Sequence, residues 1–459
     1  MINYDYKIKV CVVGLGPAGI GVTYTLLHSK LASSTLCLDA GKNLSNRCCP
    51  VLQNKICAKC NPCEMISGFG GCSLLGGGKI STYPAGSRFM DTISSRNRNK
   101  ILSKGLSLFD NYLHLQKPNI TLSDIEIAGE YFKNLGFNYK YYDSYIYNQE
   151  DIRMMLQEVF SKIGSSGMTL LLNTSVIDIG IENNGFKLVA KREKEEYITI
   201  FSKYIVLGVG RLGRSMLRYI NTKFNLSGEE NHLDIGVRLE FPTDLYPDIT
   251  KYHNDLKLLF YDARTFCVCK DGRVALYLLE DIFFTDGYLN PKDKSDLTNL
   301  GILIRLKPSK QNEIVLGEVK KRVVQISNAK PVCQTLPDYL GINVKNCDFS
   351  KCIDSSVSFW VQGDVNQCFP QPISSKIKQA VYYFASRLLT RDRWNEVNIF
   401  SLMVDYGDLS FPVNPDFSIL PRMYLIGDCT GKFRGILQAF CSGIICAESI
   451  IGDENEKNL

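Results

Sequence analysis

The stretch Ile8-Lys9-Val10-Cys11-Val12-Val13-Gly14-Leu15-Gly16-Pro17-Ala18-Gly19 runs from apolar residues into G-x-G-x-x-G and then into a helical pattern, with Asp39 twenty positions beyond the last glycine. A buried strand, a glycine turn, a helix and a second strand over 35–39 make a βαβ unit of the dinucleotide-binding kind. Gly14 allows the tight turn, Gly16 lets the backbone approach a pyrophosphate, and Gly19 lets the helix pack closely on the strand. Asp39 stands where a ribose hydroxyl would donate. The phosphates would sit on the N-terminus of the helix that begins near Ala18, where free N–H groups and the helix dipole favour an anion. Pro17 suits that first turn, since the N–H it lacks has no helical partner there.

The chain returns to the same chemistry near its other end, in Met423-Tyr424-Leu425-Ile426-Gly427-Asp428-Cys429-Thr430-Gly431 followed by Arg434-Gly435-Ile436. A buried strand stops at Gly427, Asp428 can bind a sugar or ribityl hydroxyl, and the next helix points its N-terminus back at the ligand. Such a positive helix end suits the negative charge of a reduced flavin. A nicotinamide-nucleotide domain has no need of this second element, so FAD is the expected cofactor. Between the two ends, a helix over 148–163 has Ile152, Met155, Leu156, Val159, Phe160 and Ile163 on one face. Strands are expected at 169–172, 176–181, 186–190, 197–201 and 204–207, with a hairpin at Asn183-Asn184-Gly185. A second G-x-G-x-x-G at 208–213 reads as a return loop packed beside the first nucleotide site, because no second βαβ unit follows it.

The fold class is therefore α/β: a discontinuous, Rossmann-like FAD-binding domain made of 1–215 and 411–459, with an inserted α+β domain over 216–410 facing the substrate. The insertion carries strand patterns at 234–240, 265–269, 273–279 and 301–306, helical patterns at 313–326 and 377–389, and an Asp271-Gly272 hairpin turn. The 452–459 tail reads as disordered. A net charge of +6 over 459 residues is mild. The densest basic stretch, 88–104, lacks the interleaved aromatics of a base-stacking surface and is expected to be a solvated loop, so nucleic acid is not an expected partner. No run of eighteen apolar residues occurs and no charged-then-apolar leader precedes the first strand, so a cytoplasmic protein without a membrane span is expected.

Seventeen cysteines are many for such a protein, and the odd count and long chain argue against a secreted disulfide framework. Cys48, Cys49, Cys57, Cys60, Cys63 and Cys72 crowd into the loop 46–79. Within it, Cys49, Cys57, Cys60 and Cys63 offer four thiolates, enough for zinc or an iron–sulfur cluster, although the usual cluster spacing is absent and no histidine is near. A redox-active dithiol near the flavin and reduced thiols in a cofactor-covering loop are the alternatives. Cys267 and Cys269, two apart on a strand, are expected to face one side as packed thiols. The four histidines form no motif.

The paired glycine fingerprint and Gly427-Asp428 element resemble FAD-binding oxidoreductases of the glutathione-reductase-like fold. More narrowly, Asn46-Arg47-Cys48-Cys49-Pro50, Cys57-Ala58-Lys59-Cys60-Asn61-Pro62-Cys63, Gly68-Phe69-Gly70-Gly71, Gly78-Lys79, Asp234-Ile235-Gly236-Val237-Arg238 and Phe266-Cys267-Val268-Cys269 resemble a group of FAD-dependent dehydrogenase-like proteins of undefined reaction. The chain departs from that group in having Gly76 and Gly77 where Ser-Asp would precede Gly-Lys. The resemblance implies FAD held by Gly14, Gly16 and Gly19 at the pyrophosphate, by Asp39 at the adenosine ribose, by Gly70 and Gly71 near the phosphates, and by Asp428 at the ribityl chain. Lys79, Arg434 and Cys72 are the candidates for catalysis. The expected function is an FAD-dependent oxidoreductase moving hydride to or from flavin N5, with NAD(P)H a candidate reductant. A flavin and metal electron-transfer component with a redox partner protein, and an FAD-dependent RNA-modifying enzyme, are the alternatives.

Overall fold

A computed structural model describes residues 3–76, 78–86, 92–93, 95–342, 355–406 and 409–456 of the chain. Two β-sheets organise the fold. The first has the strand order Ser418–Leu420, Met423–Leu425, Tyr197–Leu207, Tyr6–Val13, Thr35–Leu38, Thr169–Leu171. The first strand pairs in parallel with both neighbours, Val13 lying against Leu38 on one side and Leu207 on the other. The hairpin Ser175–Glu182 and Gly185–Lys191 joins this sheet antiparallel through Tyr197–Leu207. Residues from both ends of the chain thus share one sheet, which places Gly14 and Gly427 at the ends of two strands that flank Tyr197–Leu207.

Helix packing reinforces that junction. The last helix, Ile436–Glu456, lies against the first helix, Pro17–Leu26. A Cβ on Gly21 would stand 2.2 Å from the Phe440 carbonyl oxygen, and one on Gly443 would stand 2.0 Å from that of Ala18. A glycine on each helix therefore permits the backbone contact. Ile436–Glu456 is also the one helix among the described residues long and apolar enough to cross a membrane, and 61% of its apolar window is buried inside the protein.

The second sheet is mostly antiparallel and runs Val361–Gln362, Val332–Thr335, Asn398–Tyr406, Leu233–Pro242, Leu297–Leu306, Ala263–Cys269, Lys257–Phe260, Asn138–Lys140. Its edge strand comes from before residue 150, and the boundary expected at 215/216 falls inside the helix Arg214–Lys223.

Several local expectations are corrected. Tyr197–Leu207 is one unbroken strand where two were expected. The polar residue at its middle, Ser202, is fully buried and donates to the Tyr204 carbonyl at 2.7 Å, so it does not break the strand. Most of the basic stretch is helical, not a loop: Ser95–Leu113 is a helix that buries Ile101, Leu102, Phe109 and Leu113. Those apolar positions fall at helical spacing. Residues 88–91 and 94 of that stretch, like Gly77, lie outside the described residues.

Asp271-Gly272 makes a turn, but the strands it joins enter different sheets. The hairpin instead joins Arg273–Leu279 to Ile282–Tyr288 through Glu280 and Asp281, at φ +50° and +61°. Two residues at positive φ form the turn that matches strand twist, and without Asn or Gly it carries no sequence signal. The supposedly disordered tail is helical to Glu456, with 457–459 outside the described residues.

Candidate functional site

The two glycine elements meet the second sheet across a cavity of about 1320 Å³. Gly14, at φ +94°, makes the first turn, and its amide donates to the Leu38 carbonyl at 2.8 Å. A Cβ there would lie 2.4 Å from the Gly208 carbonyl oxygen, so the loop 208–213 packs directly on the fingerprint. Gly16 caps the first helix without a side-chain cap, and no acidic residue occupies the first turn. Its Cβ position faces open space, the nearest heavy atom being the Gly71 Cα at 3.9 Å. Gly14, Gly16, Pro17, Ala18, Gly71 and Gly427 line the cavity. Gly19 and Gly70 do not: a Cβ on Gly19 would strike the Gly14 carbonyl at 1.9 Å, and one on Gly70 the Leu156 side chain at 2.5 Å, so both serve packing.

Asp39 lines the cavity and also organises the loops around it. Its carboxylate accepts from the backbone amides of Leu15 at 2.7 Å, Gly41 at 2.8 Å and Gly68 at 2.8 Å. With about four lone-pair sites on a carboxylate, one is left for a ligand hydroxyl. Arg47 is its opposite number. The guanidinium, 1% exposed, donates to the carbonyls of Phe69 and Glu64 at 2.6 Å and of Gly71 at 2.8 Å. Asp39 gathers amides and Arg47 gathers carbonyls, and together they fix the 68–71 loop against the fingerprint. Burial lowers the Arg47 pKa to about 10, and nearby Asp39 opposes that shift. Arg47→Met would leave the buried Phe69 and Glu64 carbonyls without this donor, and about 2–4 kcal/mol of stability should be lost in chemical denaturation. A loss below about 0.5 kcal/mol would contradict this role.

Asp428 and Arg434 reach the cavity from the far end of the chain. Asp428 Oδ2 lies 3.5 Å from Arg211 Nε, so the acidic residue is paired with the return loop. Arg434 forms a 2.5 Å ion pair with Asp405, while its other terminal nitrogen is buried and has no hydrogen-bond partner among the described residues. Asp405 was not singled out from sequence, yet it is the hub of the site. Burial raises its pKa, but Arg434, Arg264 and Arg211 outweigh this and hold the carboxyl far below the usual range. Arg264 also bonds Asp234 at 2.9 and 2.7 Å, and Arg305 closes on the same carboxylate at 2.8 and 2.7 Å. Asp234, Arg264, Arg305 and Asp405 come from four separate strands of the second sheet, so no local motif announces them.

Lys79 is 7% exposed and pairs with Asp255 at 3.1 Å. It also donates to the Val268 carbonyl. Burial lowers its pKa, but Asp255, Cys269 and Cys267 more than reverse that, so it is a fixed cation and not a base. Cys72 starts the four-residue helix Cys72–Leu75 and lines the cavity. Desolvation raises its thiol despite Arg211 and Arg47, so a neutral-pH thiolate is not favoured.

Lys257, which the sequence did not single out, lines the same cavity with its pKa pushed down to about 7 by burial and then by Arg264. An amine so placed can carry a proton at neutral pH. Its depressed folded value also fixes a pH effect on stability. Below pH 7 both folded and unfolded states hold the proton and the desolvation cost is full. Between about pH 7 and 10.4 the unfolded chain binds more protons, so stability rises with pH. Lys257→Met should therefore raise the melting temperature at pH 6, and the gap should narrow by pH 10; a gap unchanged over that range would contradict the shift.

The four-thiolate metal site does not form. Among the described residues no group of three or more His, Cys, Asp or Glu side chains is placed to hold a metal ion. Cys49 and Cys57 pack on the apolar cluster that includes Val51, Val274 and Phe283. Cys63 Sγ accepts from the Leu278 amide at 3.3 Å, and Cys57 Sγ from that of Lys59 at 3.3 Å. Burial raises Cys49 to about 11 and raises Cys60 and Cys63 as well, which keeps them protonated. None of the four lines the cavity.

No family model matches the chain, and no curated protein matches it. Among solved structures it is similar to p-nitrophenol 4-monooxygenase from Pseudomonas putida, at 9% identity and TM-score 0.41 over 98% of this chain and 81% of that one. It is similar also to a geranylgeranyl bacteriochlorophyll reductase-like protein from Thermoplasma acidophilum, at 9% identity and TM-score 0.41 over 99% and 80%. A flavin-dependent brominase aligns at 13% identity and TM-score 0.44 over 98% and 80%. Likenesses this distant assign neither family nor reaction, and the chemistry rests on the residues of the site.

Proposed function

We propose that the chain is an FAD-dependent oxidoreductase acting on a small molecule. The observation that carries this reading is the continuity of one cavity from Gly16, at an uncapped helix N-terminus, past Gly427 and Asp428, to the ionised side chains of the second sheet. Its volume exceeds the 300–1000 Å³ usual for single small-ligand pockets. Gly14, Gly16, Pro17 and Ala18 would hold the pyrophosphate, with Gly71 closing over it. Asp39 would keep one acceptor site for the ribose, and Asp428 would face the ribityl chain.

FAD, when bound, supplies two-electron transfer at its ring, with hydride passing at N5. The protein's own side chains position and tune. Arg434 and Arg211 set the positive charge at the end of the last helix, Asp405 fixes both, Lys79 stays cationic, and Lys257 can take or give a proton. The substrate would enter between the glycine loops and the second sheet. Purified protein should show oxidised-flavin absorbance and release FAD in near-equimolar amount on denaturation. Anaerobic bleaching with NADH, NADPH and a panel of small organic donors would identify the reductant. Colourless protein that cannot be reconstituted with FAD would overturn the reading.

A further inference from the structure

Cys267 and Cys269 differ from every other thiol described above. The strand Ala263–Cys269 slips register against Leu297–Leu306 between Phe266 and Cys269, which is a β-bulge. Cys267 sits there at φ +47°, a conformation uncommon for a residue that is not glycine, asparagine or aspartate, and such conformations gather at functional sites. The bulge overturns the expectation of simple strand alternation. Cys267 lines the cavity, Cys269 is fully buried behind it with its Sγ 3.7 Å from the Cys267 carbonyl oxygen, and the two thiols interact.

Two cations surround the pair. Lys79 donates to the carbonyl of Val268, the residue between the two cysteines. Arg238, also fully buried, donates to the Cys267 carbonyl at 2.7 Å. A Cβ on Gly287 would fall 2.2 Å from Arg238 Nη2 and 2.5 Å from Cys269 Sγ, so that glycine leaves the room in which guanidinium and sulfur meet. A buried thiol normally becomes harder to ionise, as Cys11, Cys37, Cys429 and Cys441 do. Cys269 instead falls to about 6: the hydrogen bond from the Cys267 thiol is the largest cause, and Lys79 and Arg238 add to it against desolvation. A thiolate held by a neighbouring thiol and two cations is the arrangement of a reactive dithiol.

We propose that Cys267 and Cys269 are a redox-active dithiol that reduces a disulfide small enough to enter the cavity. The pair holds one proton. Its transfer from Cys267 to Cys269 leaves a thiolate on the cavity side, which attacks one sulfur of R–S–S–R′, breaks that bond and expels R′–S⁻. The Cys269 sulfur then loses its proton to a departing thiolate and attacks Cys267 Sγ. This forms the Cys267–Cys269 disulfide and releases the second product. Two protein thiols are oxidised, one substrate disulfide is reduced, and the single proton ends on one of the two released thiols.

The test uses the full chain as purified, treated anaerobically with oxidised glutathione, then alkylated, digested and mapped by mass spectrometry. Wild type should lose two hydrogens from the peptide holding both cysteines and keep no glutathione there. Cys269→Ser should accumulate glutathione on Cys267, and Cys267→Ser should leave Cys269 unmodified. Lys79→Gln should slow the wild-type reaction about tenfold, with Lys79→Arg restoring most of it, since one pKa unit corresponds to a tenfold change in thiolate population. Alkylation of both wild-type residues, while exposed Cys48 reacts in the same tube, would overturn the proposal. So would a stable wild-type adduct at either cysteine. The wild-type mapping decides even if a variant fails to fold.

Discussion

Gly16→Val is expected to weaken FAD binding by at least about a hundredfold, about 2.7 kcal/mol, while leaving the fold intact. The two halves of that expectation come from different facts. Gly16 has φ −70° and ψ −173°, extended backbone open to any residue, and apart from its chain neighbours its Cβ would have no protein atom closer than 3.9 Å. Folding should therefore tolerate the side chain. The added atoms would stand in front of the first-turn N–H groups, where a pyrophosphate must approach the backbone. Gly14→Val makes the contrast: at φ +94° and 2.4 Å from the Gly208 carbonyl, it should damage the fold itself. Flavin fluorescence titration with thermal denaturation separates the two effects. A Gly16→Val variant that binds FAD like wild type would remove the phosphate role from this helix.

Arg264→Met should be the most destabilising change in the second sheet, at about 3–5 kcal/mol. The guanidinium is 7% exposed and bridges Asp234 and Asp405, which are 0% and 2% exposed. Its removal leaves two buried carboxylates sharing Arg305, Arg434 and the more distant Arg211. Burial raises the pKa of Asp234, but Arg305 and Arg264 bring it below the ordinary value, and Asp405 is held lower still. The stabilisation is therefore fully present above the unfolded carboxylate value near 3.9 and fades as pH falls through the depressed folded values. Urea denaturation at pH 7 measures the loss, and the gap to wild type should shrink only below about pH 4. A loss under about 1 kcal/mol at pH 7 would show that the neighbouring arginines suffice.

The first sheet and its glycine turn were legible because their signals are local. The apolar run before Gly14, the two glycines that must approach other backbone, and the apolar face of Gln149–Ser165 each lie within one element. Asp39 and Asp428 were legible as positions, but not their partners: three backbone amides for one and Arg211 for the other. Asp405, Arg264 and Asp234 could not be found by spacing, since 171 residues separate Asp234 from Asp405 and only sheet pairing joins them. The contact of Lys79 with the Val268 carbonyl, between the two cysteines, was hidden likewise. A bulge leaves no periodic signature, and Lys79 arrives from a strand 189 residues away from Val268. The cysteine-rich loop misled through composition alone: its thiols are close in sequence, but packing and backbone amides occupy them instead of a metal.

A crystal structure of the protein with FAD bound tests the central claim most directly, because the claim is that residues from both ends of the chain build one cofactor site. The pyrophosphate is expected at the N-terminus of Pro17–Leu26 beside Gly16 and Gly71, with a ribityl hydroxyl on Asp428. FAD bound elsewhere, or in contact with the fingerprint but not with the Gly427-Asp428 element, would contradict it.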